Sequence, residues 1–189
     1  MGYRWLQRPL RSDDGYELTS LSEEDLAAVR IWRNAQPRIL RNPDPLTPED
    51  QRRYWDGVVA PSQEVDCPRI VLVAFRLAGA LLGYGGLTNL DWEVRRAEVS
   101  FLVLPERAAD PSVYAVDFRR FLDLLSVLAF QRMALTRLFT ETYDVRSHHV
   151  AVLEAACYRL EGRLRRHHAV EGGVVDVLFH GLLREDQRA

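Results

Sequence analysis

The sequence contains no lysine, and all 25 of its basic side chains are arginine. A lysine therefore cannot act here as a general base or as a Schiff-base nucleophile. Cysteine is almost as scarce, since only Cys67 and Cys157 occur among 189 residues. Two cysteines make neither a disulfide framework nor a complete zinc site, so we predict no bound metal.

Long apolar runs are also missing, because no run approaches the ~20 residues that cross a bilayer. The first 15 residues are polar and arginine-rich and lack the apolar stretch of a signal peptide. The formal charge of −2 favours neither nucleic acid nor an anionic membrane as a partner. We therefore expect a cytoplasmic protein, built as one domain over residues 1–189 with its core at about 16–185.

Helix signals dominate the first third of the chain. Residues 16–21 alternate weakly and predict a short strand. Ser22 is followed by three acidic residues, which is typical of a helix start, and this helix should end between Asn34 and Pro37. Thr47 and Pro48 open a second helix, between loops at 42–48 and 61–68.

The remainder of the chain predicts a sheet crossed by one long helix. Apolar runs indicate central strands, a broad apolar face indicates the long helix, and paired glycines indicate a final hairpin. The predicted strands are 69–75, 80–87, 97–104 and 137–143, the helices are 113–133 and 147–156, and the hairpin spans 162–183 with its turn at 171–173. This order predicts an α/β (α+β) fold: a mixed, mostly antiparallel sheet of about six or seven strands flanked by four helices.

Three stretches of the sequence resemble one family. The first helix ends Ile31-Trp32-Arg33-Asn34, the central strands contain 82–87 and 96–101, and the chain closes with 152–165 followed by 172–177. Together they resemble the GNAT superfamily of N-acetyltransferases, in the branch that acetylates ribosomal-protein N-termini and amino sugars. The resemblance spans roughly residues 16 to 185, and the final stretch is the most specific.

The resemblance implies a GNAT-like fold and acetyl-CoA as co-substrate. It also implies direct transfer of the acetyl group to a primary amine within a ternary complex. We favour a small-molecule amine, an amino sugar or a sugar nucleotide, as the acceptor. Two alternatives stay open: acetylation of a protein N-terminus, and a member that binds a ligand without catalysis. A homodimer is also left open.

The family's glycine-rich turn, which cradles the coenzyme A diphosphate with backbone N–H groups, has no counterpart here. Residues 105–114 contain no glycine, and Glu106 and Asp110 add negative charge. The resemblance nevertheless assigns cofactor binding to the end of the third central strand and to the start of the long helix. The residues concerned are Leu102, Val103, Leu104, Arg107, Ser112, Val113 and Tyr114.

Two residues are candidates for catalysis. Glu98 lies in mid-strand among apolar residues, where loss of hydration would make its carboxylate a stronger base, although it could instead pair with Arg95 or Arg96. Tyr143 ends the strand at 137–143 and would protonate the leaving thiolate, or would be a core tyrosine with a satisfied hydroxyl. The family's usual tyrosine acid in the short helix is replaced by Leu153.

The acceptor wall in this family is formed by the first two helices. Guanidinium and amide groups suit a carboxylate, a phosphate or sugar hydroxyls, and aromatic faces suit a sugar. We assign acceptor binding to Trp32, Arg33, Asn34, Trp55 and His148. The alternatives are core packing for the two tryptophans and simple exposure for the histidine.

Overall fold

The computed structural model describes residues 2–37, 40, 44–170 and 173–187, and they form one sheet of eight strands. The strands lie in the order β1-β2-β3-β4-β5-β6-β8-β7, and only β5 and β6 run parallel. This confirms the mixed, mostly antiparallel sheet. The strands are β1 (Leu10–Arg11), β2 (Tyr16–Ser20), β3 (Val71–Leu77), β4 (Ala80–Asp91), β5 (Arg96–Val103), β6 (Arg137–Tyr143), β7 (Arg159–Val170) and β8 (Gly173–Leu183).

Within the described ranges, six α-helical segments accompany the sheet: α1 (Leu26–Ala35), α2 (Pro48–Tyr54), α3 (Ala60–Ser62), α4 (Pro105–Ala108), α5 (Pro111–Ser126) and α6 (Ser147–Ala155). A π-helical turn at Trp55–Val59 joins α2 to α3, and another at Val127–Arg132 extends α5. The extended α5 confirms one long helix at about 113–133. The four predicted helices correspond to α1, the α2–α3 unit, α5 and α6, and α4 is an additional single turn.

Side-chain caps fix where the helices begin. The Thr47 hydroxyl accepts a hydrogen bond from the backbone N–H of Asp50 at 3.1 Å, and Pro48 occupies the first helical position. At Ser22 the predicted start is a 3-10 turn, Glu23–Asp25, which leads into α1. The predicted residues Asn42, Glu171 and Gly172 lie outside the described part of the chain.

The sheet separates two apolar clusters, because successive strand side chains point to opposite faces. On one face, Ala97, Val99 and Val103 pack with the apolar side of α5 and with α6. On the other face, Leu102 and Tyr84 pack with α1 and α2. The residues of β5 therefore alternate between the two faces, and each face has its own helices.

The sheet opens between β5 and β6. These strands pair only through Arg96–Arg137, Ala97–Leu138 and Glu98–Phe139, although β5 continues to Val103. The sheet is thus splayed between the strands predicted at 97–104 and 137–143. One edge of β5 beyond Glu98 faces the gap between the two strands.

No helix in the described residues is long and apolar enough to cross a membrane. Likewise, the described histidine, cysteine and acidic side chains form no group of three that could hold a metal ion. The strand boundaries differ from the predicted ones by only a few residues. The exception is β1, whose two residues are too few for a periodic pattern.

Candidate active site

A cavity of about 330 Å³ lies between β4 and the helices α1 and α2. Apolar side chains from both helices and from the sheet form most of its wall. Its polar lining includes Arg33, Gln51, Tyr54, Tyr84, Thr88 and Ser100. Enclosed, mostly apolar spaces with a few polar groups are typical of small-molecule sites.

Two buried polar atoms in this lining have no hydrogen-bond partner among the described residues: Arg33 Nε and Gln51 Oε1. The Arg33 Nη1 atom donates to the Tyr84 hydroxyl at 2.7 Å. Burial raises the pKa of Tyr84, and the neighbouring Arg33 guanidinium opposes that shift. Both residues line the cavity, although these two atoms are themselves closed off from it.

Of the five predicted acceptor-binding residues, only Arg33 lines this cavity. Trp32 and Trp55 are only 7% and 9% exposed and belong to the apolar cluster under α1, so they pack the core. The Asn34 amide donates to the Leu46 carbonyl at 3.0 Å and accepts from the Leu46 N–H at 2.9 Å. These two hydrogen bonds from the Asn34 side chain fix the backbone just before α2.

The structure places His148 on the opposite face of the sheet from α1. Its ring is exposed and packs edge-to-face on Tyr114, with centroids 5.0 Å apart. Partial burial and the Arg146 guanidinium lower the pKa of His148. His148 is thus a neighbour of α5 and does not contribute to the acceptor cavity.

Glu98 adjoins the cavity, as the catalytic hypothesis requires. Its cross-strand partner Thr88 and its same-face neighbour Ser100 both line the cavity. The side chain is 6% exposed, and the Asn89 amide donates to its Oε2 atom at 2.6 Å. A register shift in β4 just after Thr88 redirects the chain at Asn89, as bulges next to active sites often do.

The backbone of β5 presents Phe101 and Val103 to the gap. Leu104 donates to the Leu82 carbonyl at 2.8 Å, and hydrogen-bonded pairs alternate in an antiparallel ladder. Leu102 and Leu104 therefore turn their backbone groups toward β4, whereas Val103 turns away from it. In agreement, the Val103 carbonyl accepts a hydrogen bond from the Gln36 side chain at 2.8 Å. Of the three predicted strand residues, only Val103 offers its N–H to the gap.

The start of α5 is already occupied by the chain's own groups. An Asp110 oxygen accepts from the backbone N–H groups of Ser112 and Val113 at 2.9 and 3.2 Å. The hydrogen bonds from Ser112 and Val113 lower the pKa of Asp110 and keep it ionised. Because this carboxylate occupies two of the N–H groups assigned to the diphosphate, cofactor binding at this helix start stays a prediction.

Arg107 and Tyr114, the other two predicted cofactor ligands, are also engaged elsewhere. The Arg107 guanidinium forms two hydrogen bonds, at 2.5 and 2.8 Å, to the fully buried Asp117. The Tyr114 hydroxyl lies 2.6 Å from His149 Nδ1 and accepts from Arg146 at 2.9 Å. Burial outweighs Arg146 and raises the pKa of Tyr114 to about 12.

Tyr143 lies at the C-terminal end of β6, across the gap from β5. Its hydroxyl is 2.8 Å from His168 Nε2, and the two rings stack with centroids 4.5 Å apart. The tyrosine is 5% exposed. The contact with His168 fits a structural role and also provides a proton route, so the catalytic role of Tyr143 remains a prediction.

Sequence reasoning missed Gln36, Gln51 and Tyr84. Gln36 directly follows α1 and Gln51 lies in the largely polar α2, and nothing in the periodicity distinguishes them from solvated residues. Tyr84 carried a usable signal, since it lies between Gly83 and Gly85 in a strand. Glycines at such positions permit close approach of another backbone or a ligand.

A second, open hollow of about 1020 Å³ lies at the opposite ends of β5 and β6. Arg96 and Arg137 line it. The Arg137 guanidinium is paired with Glu161. This hollow lies where the two strands still pair, and it is remote from the gap.

An open mixed sheet that splays at its single parallel pair, with a helix starting beside the gap, defines an acyltransferase-like architecture. The model of the acetyltransferase (GNAT) domain matches residues 18–179, and the chain belongs to this family of acetyltransferases. No curated protein matches the sequence significantly.

Solved structures share the fold at low sequence identity. A spermidine N-acetyltransferase from Vibrio cholerae, in complex with CoA and spermine, is 17% identical with a TM-score of 0.77, over 92% of this chain and 98% of that one. A ribosomal L7/L12 alpha-N-protein acetyltransferase in complex with coenzyme A is 12% identical with a TM-score of 0.76, over 95% of this chain and 100% of that one. These likenesses show the fold alone.

Proposed function

We propose that this chain transfers an acetyl group from acetyl-CoA to the primary amine of a small molecule. The observation that carries the proposal is the enclosed cavity that ends beside Glu98, on the strand whose free edge faces the gap. An amine in the cavity and a thioester in the gap would meet along β5. Bringing two reactants together in this way is the main source of rate in a direct transfer.

The chain's own groups divide the chemical work. Acetyl-CoA, when bound, supplies the acetyl group as a thioester. The Val103 N–H would donate to the thioester carbonyl oxygen and orient it. Glu98 would accept the proton that the amine loses as its nitrogen bonds to the carbonyl carbon and the carbon–sulfur bond breaks. Tyr143 would donate its hydroxyl proton to the departing thiolate and regain one through His168.

The size and enclosure of the cavity favour a small acceptor. Its volume of about 330 Å³ is near the lower end for ligand sites, which suits a monosaccharide-sized molecule better than a sugar nucleotide or a peptide. Tyr54 and Tyr84 supply aromatic surface and hydroxyl groups of the kind that bind sugars. An amino sugar is therefore the acceptor that we favour.

The proposal is tested by measuring thiol release from acetyl-CoA with purified protein and a panel of amines. The panel contains glucosamine, glucosamine 6-phosphate, 6-aminohexanoate, spermidine and a short peptide with a free N-terminus, and mass spectrometry identifies each product. We expect acetylation of a small amine and no acetylation of the peptide. Ligand binding without thiol release from any amine would replace the proposal with a non-catalytic ligand-binding role.

A further inference from the structure

The Arg33 guanidinium is a positive charge that no carboxylate among the described residues neutralises. Its one hydrogen bond in the described chain is to the uncharged Tyr84 hydroxyl. Asp50 is the only carboxylate among the described residues that line the cavity. Asp50 accepts from the Thr47 N–H and hydroxyl and pairs with Arg53, so it is engaged at the start of α2.

Arg33 lines the cavity with a partly buried side chain. Nη1 is held by Tyr84, while Nε is buried and has no partner in the described residues. Nε and Nη2 form the edge that places two parallel N–H donors on a carboxylate or a phosphate. Nε itself is closed off from the cavity, so an anion there would meet the guanidinium through its less buried atoms and compensate its charge.

The second pole, the Glu98 carboxylate, lies beside the cavity rather than in its lining, next to Thr88 and Ser100. Arg33 is anchored at the level of Tyr84, and Glu98 pairs with Thr88, four residues further along β4. Four strand residues cover about 13 Å, so the positive and negative poles lie at different levels of the cavity. A ligand whose amine approaches Glu98 while another group meets Arg33 must separate the two groups by several bonds.

We propose that the acceptor is an amine that also carries a carboxylate or a phosphate several bonds from the nitrogen, and that Arg33 binds this anionic group. The inference rests on the proposed function in one respect, namely that this cavity is the acceptor site. It disfavours a polyamine, whose second charged group is positive and would be repelled by Arg33. It also disfavours an α-amino acid, whose amine and carboxylate are too close together.

Binding measurements on the intact protein test the inference without requiring turnover. Calorimetry compares two matched pairs: glucosamine 6-phosphate with glucosamine, and 6-aminohexanoate with 6-aminohexanamide. We expect the anionic member of at least one pair to bind at least tenfold more tightly, and the pair that shows the effect tells phosphate from carboxylate. Equal affinities within both pairs, or tighter binding of spermidine, would overturn the inference.

Two variants test whether Arg33 is the residue that causes the preference for anionic ligands. Arg33→Gln should remove the preference for the anionic member of the pair. Arg30→Gln, the same change one helical turn earlier in α1, should behave as wild type. If Arg33→Gln does not fold, the affinities of the wild-type protein for the two ligand pairs still test the inference. A preference retained in a folded Arg33→Gln protein would refute the role of Arg33.

The two proposals fail separately. A preference for anionic ligands without thiol release would reject acetyl transfer and retain the anion site. Acetylation of neutral amines without such a preference would retain the transfer and reject the anion site.

Discussion

Glu98 owes its position beside the cavity to the alternation of β5, which directs Glu98, Ser100 and Leu102 to the face under α1. If its carboxylate accepts the amine proton, Glu98→Gln should lower kcat by about 10²-fold, a typical contribution of a general base. The loss should shrink at high pH, where the amine is already unprotonated. Steady-state kinetics across a pH series would measure it.

The control for this substitution is Glu93→Gln. Glu93 is exposed in the turn between β4 and β5, so its substitution removes the same charge without touching the cavity. Unchanged activity of a folded Glu98→Gln variant would reassign Glu98 to a structural role with Asn89.

At the scale of single residues, the sequence predicted the kinds of polar group at the candidate site better than it predicted the particular residues. Arg33 lines the cavity, and its acceptor role stays a prediction, whereas the adjacent Trp32 and Asn34 point into the core and toward Leu46. Neighbours in a helix face different directions, about 100° apart, so a three-residue motif cannot all line one cavity. Which member faces the ligand depends on tertiary packing, which the local pattern does not contain.

At the scale of elements, the start of α5 carries the next prediction. Asp110 caps the helix with its own carboxylate and opposes a diphosphate by charge. Asp110→Gly should raise affinity for coenzyme A by about tenfold, at a cost of only a few tenths of a kcal/mol in capping. Calorimetric titration with coenzyme A would measure the gain.

Asp110→Asn removes the negative charge but leaves the backbone N–H groups occupied, because asparagine is an equally good cap and its oxygen still accepts from Ser112 and Val113. We expect it to give a smaller gain than Asp110→Gly. If neither variant changes the affinity, the diphosphate binds elsewhere.

Strand β4 forms the floor of the cavity and depends on Gly85. A Cβ atom there would lie 2.1 Å from the Ser100 carbonyl oxygen and 2.9 Å from the Phe101 Cα, so β4 and β5 would have to separate. Gly85→Ala should lower the free energy of unfolding by roughly 2 kcal/mol, as overpacking usually does, in urea titrations. Gly162→Ala is the control, since nothing lies within 4 Å of its Cβ position. Equal stability of the two variants would contradict the close approach.

Elements were easier to predict than sites, because each element has its own periodicity. The apolar face of α5 and the runs that became β3, β4 and β5 are local signals. The parallel pairing of β5 with β6 followed from the crossover order of strand, helix and strand. The partner of Tyr143 was not predictable in this way, since His168 lies on a different strand and meets Tyr143 only after the sheet forms.

The whole molecule consists of two antiparallel parts, β1 to β5 and β6 to β8, joined in the sheet by three parallel residue pairs. Helices α5 and α6 pack across this junction on one face, with Phe118 stacked on His149 at 4.3 Å. The candidate site lies at the same junction. Protonation of the buried histidines at this junction should therefore lower the free energy of unfolding of the whole protein.

Burial lowers the pKa of His149 well below its ordinary value, and burial also lowers the pKa of His180. A native state that resists protonation loses stability as the pH falls, because the unfolded chain takes up protons from about pH 6.5 downward. We expect the free energy of unfolding to be level above pH 7 and to fall between about pH 6.5 and 5, by up to ~1.4 kcal/mol per pH unit for each such histidine. Urea unfolding at several pH values would measure this slope.

His149→Asn, whose amide can still bond the Tyr114 hydroxyl, should reduce the dependence of the unfolding free energy on pH, whereas the same change at the exposed His167 should not. A slope unaffected by His149→Asn would show that His149 is not the group whose protonation opens the junction between β5 and β6.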